Sequence, residues 1–232
     1  MIYSKTLQAE TYDDIREVQD VLLAKHLLEG VPYRFDHPHR AWEYGLVLSA
    51  LVANGAKTVL EIGGGGSLFA PTAALFGMEI LQVDRKDCTY WTTAQEERLG
   101  VSLPYIQQDF PDEYIAEEQF DAVVSISVIE HVSVDASKII ATTDLDRCKR
   151  TVFWTNMLDL VKPGGLVAIT TDYHPYKKKN IKFDKFELLR LYDVGRDRNF
   201  DWLGGEHDYI YTGDLVNYYT FASMILRRED GD

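Results

Sequence analysis

The chain has 232 residues, 46% of them hydrophobic and 26% charged, and its 24 Lys and Arg against 37 Asp and Glu give a formal net charge of −13. These proportions exclude a disordered or collagen-like chain, and the length suits one large domain, or one domain with added pieces, that fills its own core. A pI near 4.9 argues against an extended nucleic-acid surface, because phosphate binding needs clustered Lys and Arg.

Residues 1–19 are polar and acidic and lack the apolar core of a signal peptide. Asp13 and Asp14 can cap a first helix carrying Ile15, Val18 and Leu22 at helical spacing. Tyr44, Leu48, Leu51 and Val52 mark a second helix, which Asn54-Gly55 stops. The longest apolar stretch, near 45–53, is broken by Ser49 and is far too short to span a bilayer. Cys88 and Cys148 share no short metal or redox spacing, and no disulfide framework is visible. A cytoplasmic protein without a membrane partner is expected, with residues 1–56 as an N-terminal helical cap.

From Thr58 onward, short apolar runs alternate with helical stretches. The expected strands are 58–62, 79–84, 103–108, 121–127 and 166–171. Val59-Leu60 and Ala122-Val123-Val124 are apolar on both faces, as central parallel strands covered by helices should be. Helices are expected over 68–76 and 146–161, the second ending in a turn at Lys162-Pro163-Gly164-Gly165. Two further strands, 209–212 and 219–228, have no long helix between them, so one is expected to run antiparallel. Residues 57–232 therefore read as one compact α/β unit, a Rossmann-like, doubly wound, mostly parallel sheet with its last strand antiparallel. Residues 172–198 carry a local charge of +3 in this acidic chain, read as a solvated helix and loop, with an anion-attracting rim as the alternative.

The most informative segment is Val59-Leu60-Glu61-Ile62-Gly63-Gly64-Gly65-Gly66-Ser67. Glycines between a strand and a helix let the backbone turn sharply and let a ligand approach it. Nineteen residues after Gly65, Asp84 closes the next strand, where a carboxylate can accept both hydroxyl protons of a ribose. A dinucleotide fingerprint needs a third small residue, but Leu68 or Phe69 falls there. No Gly-Lys-Ser/Thr follows, so a phosphate-binding P-loop is absent too. What remains is Glu-x-Gly-x-Gly, with Glu61 two residues before Gly63.

This segment resembles motif I of the class I S-adenosylmethionine-dependent methyltransferases, and the resemblance runs in order from about 58 to 171. It implies S-adenosyl-L-methionine as cofactor, bound by Glu61, Gly63, Gly65 and Ser67, the last standing where many members have a third glycine. Asp84 would hold the ribose hydroxyls. Asp109 and Phe110, in Gln108-Asp109-Phe110, match the segment that reads the adenine, and Ser125 matches the fourth-strand residues that line the methionine moiety. Leu160-Val161-Lys162-Pro163-Gly164-Gly165 is similar to the family's approach to the fifth strand.

Methyl transfer to a hydroxyl needs alignment and, where required, a base for the departing proton. In an open α/β sheet such groups lie beyond the carboxyl ends of the strands. That position belongs to two segments, 127–131 after the fourth strand and Asp172-Tyr173-His174 after the fifth. The sharpest candidate is Val128-Ile129-Glu130-His131-Val132, with His131 as general base beside Glu130, and His174 is a second base. Their structural alternatives are helix-dipole stabilisation for Glu130 and a satisfied imidazole for His131. The segment resembles those of small-molecule O-methyltransferases, including quinone-biosynthesis ones. It also resembles that of metal-dependent enzymes methylating the 3′-terminal 2′-hydroxyl of small RNAs. Those enzymes place a further glutamate where this chain has Ser127, and Glu206-His207-Asp208-Tyr209 loosely echoes their later histidine segment. The resemblance therefore leaves Glu130, His131 and His207 as part of a metal site with one expected ligand missing, and no metal is assigned.

His26, His37 and His39 read as structural. Trp42, Glu43 and Tyr44 read as packing. Arg40 is a solvated arginine or one that reaches the cofactor carboxylate. Residues 199–205 are an acceptor-side loop or packing. The expected activity is transfer of a methyl group to a hydroxyl of a small polar, sugar-like acceptor. The alternatives are a metal-assisted RNA 2′-O-methyltransferase and a non-catalytic cofactor-binding module.

Overall fold

The computed structural model describes residues 40–113, 119–132, 144–173, 183–204 and 220–230. The expected first helix with Ile15, Val18 and Leu22, the strand over 209–212, and His26, His37, His39, His174, Glu206 and His207 lie outside the described residues. Helix α1 (Arg40–Ala53) leads into β1 (Thr58–Ile62), α2 (Phe69–Leu75), β2 (Glu79–Asp84), α3 (Thr89–Leu99) and β3 (Tyr105–Gln107). Next come β4 (Phe120–Ile126), a 3-10 turn (Ile129–His131), α4 (Asp144–Asp159), β5 (Val161–Tyr173), α5 (Lys185–Arg196), β6 (Phe200–Trp202) and β7 (Thr220–Arg228).

The described strands form one sheet in the order β3-β2-β1-β4-β5-β7-β6. β3, β2, β1, β4 and β5 pair in parallel, and β7 runs antiparallel to both β5 and β6. Alternation along each strand sends side chains to two cores. Leu60, Val83, Val123 and Val167 face Phe153, Trp154 and Met157 of α4 and Leu188 and Leu191 of α5. Val59, Ile80, Val124 and Ala168 face Leu48 and Leu51 of α1 and Phe69 of α2. The buried Trp154 indole N–H donates to the Leu191 carbonyl at 2.8 Å, so a polar bond joins α4 to α5 as well. Strand order reverses between β1 and β4. In such sheets a ligand crevice opens at that reversal, beyond the carboxyl ends.

Three expectations need correction. The turn expected at 162–165 lies within β5. Phe120 pairs with Val161 and Ala122 with Leu166, so a bulge absorbs the intervening residues, with Gly164 at φ +75°. The strand expected over 103–108 is reduced to Tyr105–Gln107, because Leu103 N–H turns to the Glu96 carboxylate instead. Residues 200–202 are not an acceptor-side loop. They form β6, paired with the stretch of β7 that faces the amino half of β5, and Trp202 stacks on Tyr192 at 4.1 Å between centroids. In the described part of the basic stretch, Arg190, Arg196 and Arg198 pair with Glu187, Asp193 and Asp159, as a solvated helix face would.

At the amino edge of the sheet the Asp121 carboxylate accepts from the Lys57 and Thr58 backbone N–H groups, both at 2.9 Å, and from Lys162 Nζ at 2.8 Å. Partial burial works against its charge, but the Lys162 bond and the two N–H groups outweigh it and hold the carboxyl at about 2. A carboxyl depressed in the fold adds stability above its unfolded value and loses it as pH falls through the folded one. We expect Asp121→Asn to cost about 1 kcal/mol at neutral pH, discounted for its partial exposure. Denaturant melts should show that cost shrinking between pH 4 and pH 2 as the wild-type carboxyl itself takes up a proton. A pH-independent difference would contradict this account.

Candidate active site

The glycine run turns the chain from β1 into α2, and each position has its own reason to lack a side chain. Gly63 and Gly66 sit at φ +79° and +81°, where L side chains are strained. A Cβ on Gly63 would lie 2.6 Å from Val128, which follows β4, and one on Gly65 would lie 2.9 Å from Cys88. Gly64 has an ordinary φ, yet a Cβ there would lie 1.8 Å from Glu61 Oε1. Glu61 is fully buried and accepts from Ser67 Oγ at 3.0 Å. That same oxygen accepts from Phe69 N–H at 3.1 Å, so Ser67 links the acid to the start of α2. Glu61 Oε2 and both amide atoms of the neighbouring Gln82 have no hydrogen-bond partner among the described residues.

Asp84 ends β2 beside this turn. Its Oδ1 accepts from Lys86 N–H at 2.9 Å, and it makes no further hydrogen bond among the described residues. A carboxylate oxygen left open there, next to a turn stripped of side chains, fits the adenosine part of the cofactor implied by the resemblance. Ser125 is placed differently. It is buried and donates to the Ile62 carbonyl at 3.1 Å, tying β4 to the end of β1. Phe110 packs edge-on against Phe153, with centroids 5.1 Å apart, while Asp109 is exposed and its N–H donates to Glu113.

Across the strand reversal, α1 brings Glu43 to the carboxyl ends of β4 and β5. Glu43 Oε1 accepts from Ser127 Oγ at 2.6 Å and Thr170 Oγ1 at 2.5 Å, and Oε2 accepts from Arg40 Nη1 at 2.8 Å. Ser127 takes φ +50°, rare for a non-glycine residue, and its N–H donates to the Thr170 carbonyl at 3.0 Å. The chain then bends into the 3-10 turn of Ile129, Glu130 and His131. His131 is exposed, whereas Glu130 points inward, 2% exposed, and neither of its carboxyl oxygens finds a partner among the described residues. Arg150 of α4, buried, steadies this turn by donating to the Glu130 and Val132 carbonyls, and its guanidinium lies 4.9 Å from the Phe183 ring centre.

Burial, then the neighbouring Asp84, pushes the Glu61 carboxyl up to about 8 despite the Ser67 bond. Burial, then Asp172 and Glu43, raises Glu130 to about 8, with its own backbone N–H and then Arg40 opposing. Burial works against the Arg40 charge, but Glu43 beside it prevails and holds the guanidinium protonated. Burial also drives the Tyr44 hydroxyl upward.

The structure brings Glu61, Gly63, Gly65, Ser67 and Asp84 together at one turn, and Glu130 and His131 at the next. Sequence reasoning read Glu43 as packing and Arg40 as solvated or reaching the cofactor carboxylate, placed Asp172 only within a candidate segment after the fifth strand, and did not single out Thr170. Glu43 did leave a signal, since it shares its helix face with the buried Val47 and Ala50, where a carboxylate needs a reason.

Residues 60–169 match a family described as a methyltransferase domain. The chain is 28% identical over 170 residues to a ubiquinone biosynthesis O-methyltransferase of Dinoroseobacter shibae, covering 72% of this chain and 60% of that one. It is 34% identical over 120 residues to the protein of that name from Pseudomonas paraeruginosa, covering 50% and 44%. It thus spans 44–60% of the length of these two relatives. Among solved structures, a 1,6-didemethyltoxoflavin-N1-methyltransferase of Burkholderia thailandensis superposes with a TM-score of 0.62 at 15% identity, covering 98% of this chain and 95% of that one. The N-methyltransferase NodS of Bradyrhizobium japonicum, in complex with S-adenosyl-l-homocysteine, gives 0.59 at 13%, covering 83% and 89%. At such identities these two share the fold.

A carboxyl whose pKa is higher folded than unfolded contributes stability that is intact below its ordinary value, here 4.5, and is lost as pH rises through about 8. Melting temperatures should therefore fall over that range more steeply for the wild type than for a Glu61→Gln, Glu130→Gln double variant. Parallel pH profiles would show that the two carboxyls do not titrate as described.

Proposed function

Because this chain carries a class I S-adenosylmethionine-dependent methyltransferase domain, we propose that it moves a methyl group from that cofactor to a hydroxyl of a small polar, sugar-like metabolite. The observation that carries the reading is the convergence, at the carboxyl ends of β1, β2 and β4, of the glycine turn, Asp84 and the Glu130-His131 turn. The name O-methyltransferase borne by the relatives supports an oxygen acceptor. No helix among the described residues is long and apolar enough to cross a membrane.

When bound, S-adenosylmethionine supplies an electrophilic methyl carbon on a sulfonium. Asp84 would accept hydrogen bonds from its ribose hydroxyls beside the glycine turn, in which the missing side chains of Gly63 and Gly65 let Val128 and Cys88 pack against the backbone. Glu61 and Ser67 fix the turn from beneath, and Asp109 and Phe110 would take the adenine. Ser125 secures the β4 end beside the methionine moiety by holding the Ile62 carbonyl. On the acceptor side, exposed His131 takes the hydroxyl proton as the carbon–oxygen bond forms. Glu130, buried behind it, presents a carboxyl to the acceptor.

Calorimetry should find that the wild type binds S-adenosylhomocysteine and not NAD, and that Asp84→Ala weakens binding about tenfold or more, as loss of hydrogen bonds to a charged group predicts. Unchanged affinity in that variant would remove Asp84 from the site. In a screen of hydroxylated acceptors followed by cofactor consumption, His131→Ala should lower kcat about 10²-fold or more while leaving S-adenosylhomocysteine affinity intact. Full turnover without the imidazole would assign the proton to another group.

A further inference from the structure

The acceptor side contains more acid than the proposed chemistry needs. Glu130, from the turn after β4, lies within electrostatic reach of Asp172 near the end of β5 and of Glu43 from α1, and Arg40 is a cation that faces Glu130 and Glu43. Arg40 is already bonded to Glu43 at 2.8 Å, and Glu43 is satisfied further by Ser127 and Thr170. Glu130 has none of this. Its side chain is buried and neither oxygen has a hydrogen-bond partner on another described residue, with its own backbone N–H as the nearby donor that favours its charge. A buried carboxyl so sparsely supplied is costly in either protonation state. The cluster is not sealed, since Arg40 retains 20% of its side-chain surface, Asp172 is half-buried and His131 is exposed.

We propose that Glu130, with Asp172 and Glu43 behind it, is a subsite for an ammonium group carried by the acceptor. The acceptor class is then a hydroxylated amine, such as an amino alcohol or amino sugar. This rests on the reading above that a hydroxylated metabolite is the acceptor. An ammonium offers several N–H donors to the two oxygens and adds to the positive charge that Arg40, hydrogen-bonded to Glu43, supplies without a bond to Glu130. A divalent ion fits less well, because no three His, Cys, Asp or Glu side chains among the described residues converge on a common point. While it keeps its proton the ammonium has no lone pair, so the hydroxyl remains the nucleophile and the amine only orients it. The raised pKa of Glu130 agrees with this arrangement: the carboxyl waits neutral and ionises when a cation arrives.

The test compares matched probes by calorimetry at pH 7 on the full chain, with and without S-adenosylhomocysteine: ethanolamine against ethylene glycol, and glucosamine against glucose. At least one amine should bind about tenfold or more tightly than its neutral partner. Glu130→Gln should erase most of that preference and Asp172→Asn reduce it, with S-adenosylhomocysteine affinity unchanged in both. Equal binding within each pair, no binding of either amine, or a preference that survives both substitutions would overturn the subsite. So would Mg²⁺ binding that requires Glu130 and displaces the amines. Failure of S-adenosylhomocysteine to bind any form would count against the cofactor reading, while the amine comparison made without it would still judge the subsite.

Discussion

A carboxylate taken fully out of water must be paired and hydrogen-bonded, and Glu43 meets that demand only when α1, β4 and β5 are in their final places. Its donors are 3, 84 and 127 residues away in sequence. One of them, Ser127, adopts a left-handed conformation that costs a non-glycine residue about 1–2 kcal/mol. The short bond to Glu43 and the link to Thr170 compensate for that cost. The bend in turn sets Val128 over Gly63 and directs Glu130 inward and His131 outward. Helix α1, from the segment read as a cap, is therefore part of what shapes the mouth of the crevice.

The polar groups along that mouth have a common electrostatic character. Asp84, Glu61, Glu130 and Asp172 follow one another at the carboxyl ends of β2, β1, β4 and β5, with Arg40 as the cation that opposes their repulsion at one end. Burial strengthens every interaction among them. These four acids gather at the carboxyl ends of the strands, while Arg190 and Arg196 of α5 are held in ion pairs with Glu187 and Asp193.

The sequence made some of this visible and hid the rest for physical reasons. β1 and β2 were delimited to the residue because buried parallel strands are apolar on both faces and end at abrupt changes of composition. The glycine turn and Asp84 were readable because their relation is a linear spacing between adjacent elements. Helices α3 and α5 were not delimited. Thr89–Leu99 buries only Thr92 and Gln95 among its residues, so it leaves no apolar stripe to detect. The bulge in β5 was mistaken for a turn because Pro163 and the glycines after it serve either structure, and only pairing with β4 decides. Glu43, Ser127 and Thr170 form a unit that no local pattern encodes.

Gly64 differs from its neighbours in a way that bears on how this loop can change over generations. Its backbone is ordinary, and the three atoms nearest a Cβ there all belong to Glu61, whose carboxyl occupies the space that Cβ would need. The two positions are therefore epistatic, and the order of substitution matters. Alanine at 64 meets a collision while glutamate remains at 61, but becomes sterically accessible once 61 has shortened. The reverse path is closed as well, since a chain that has acquired a side chain at 64 cannot regain the buried glutamate in one step.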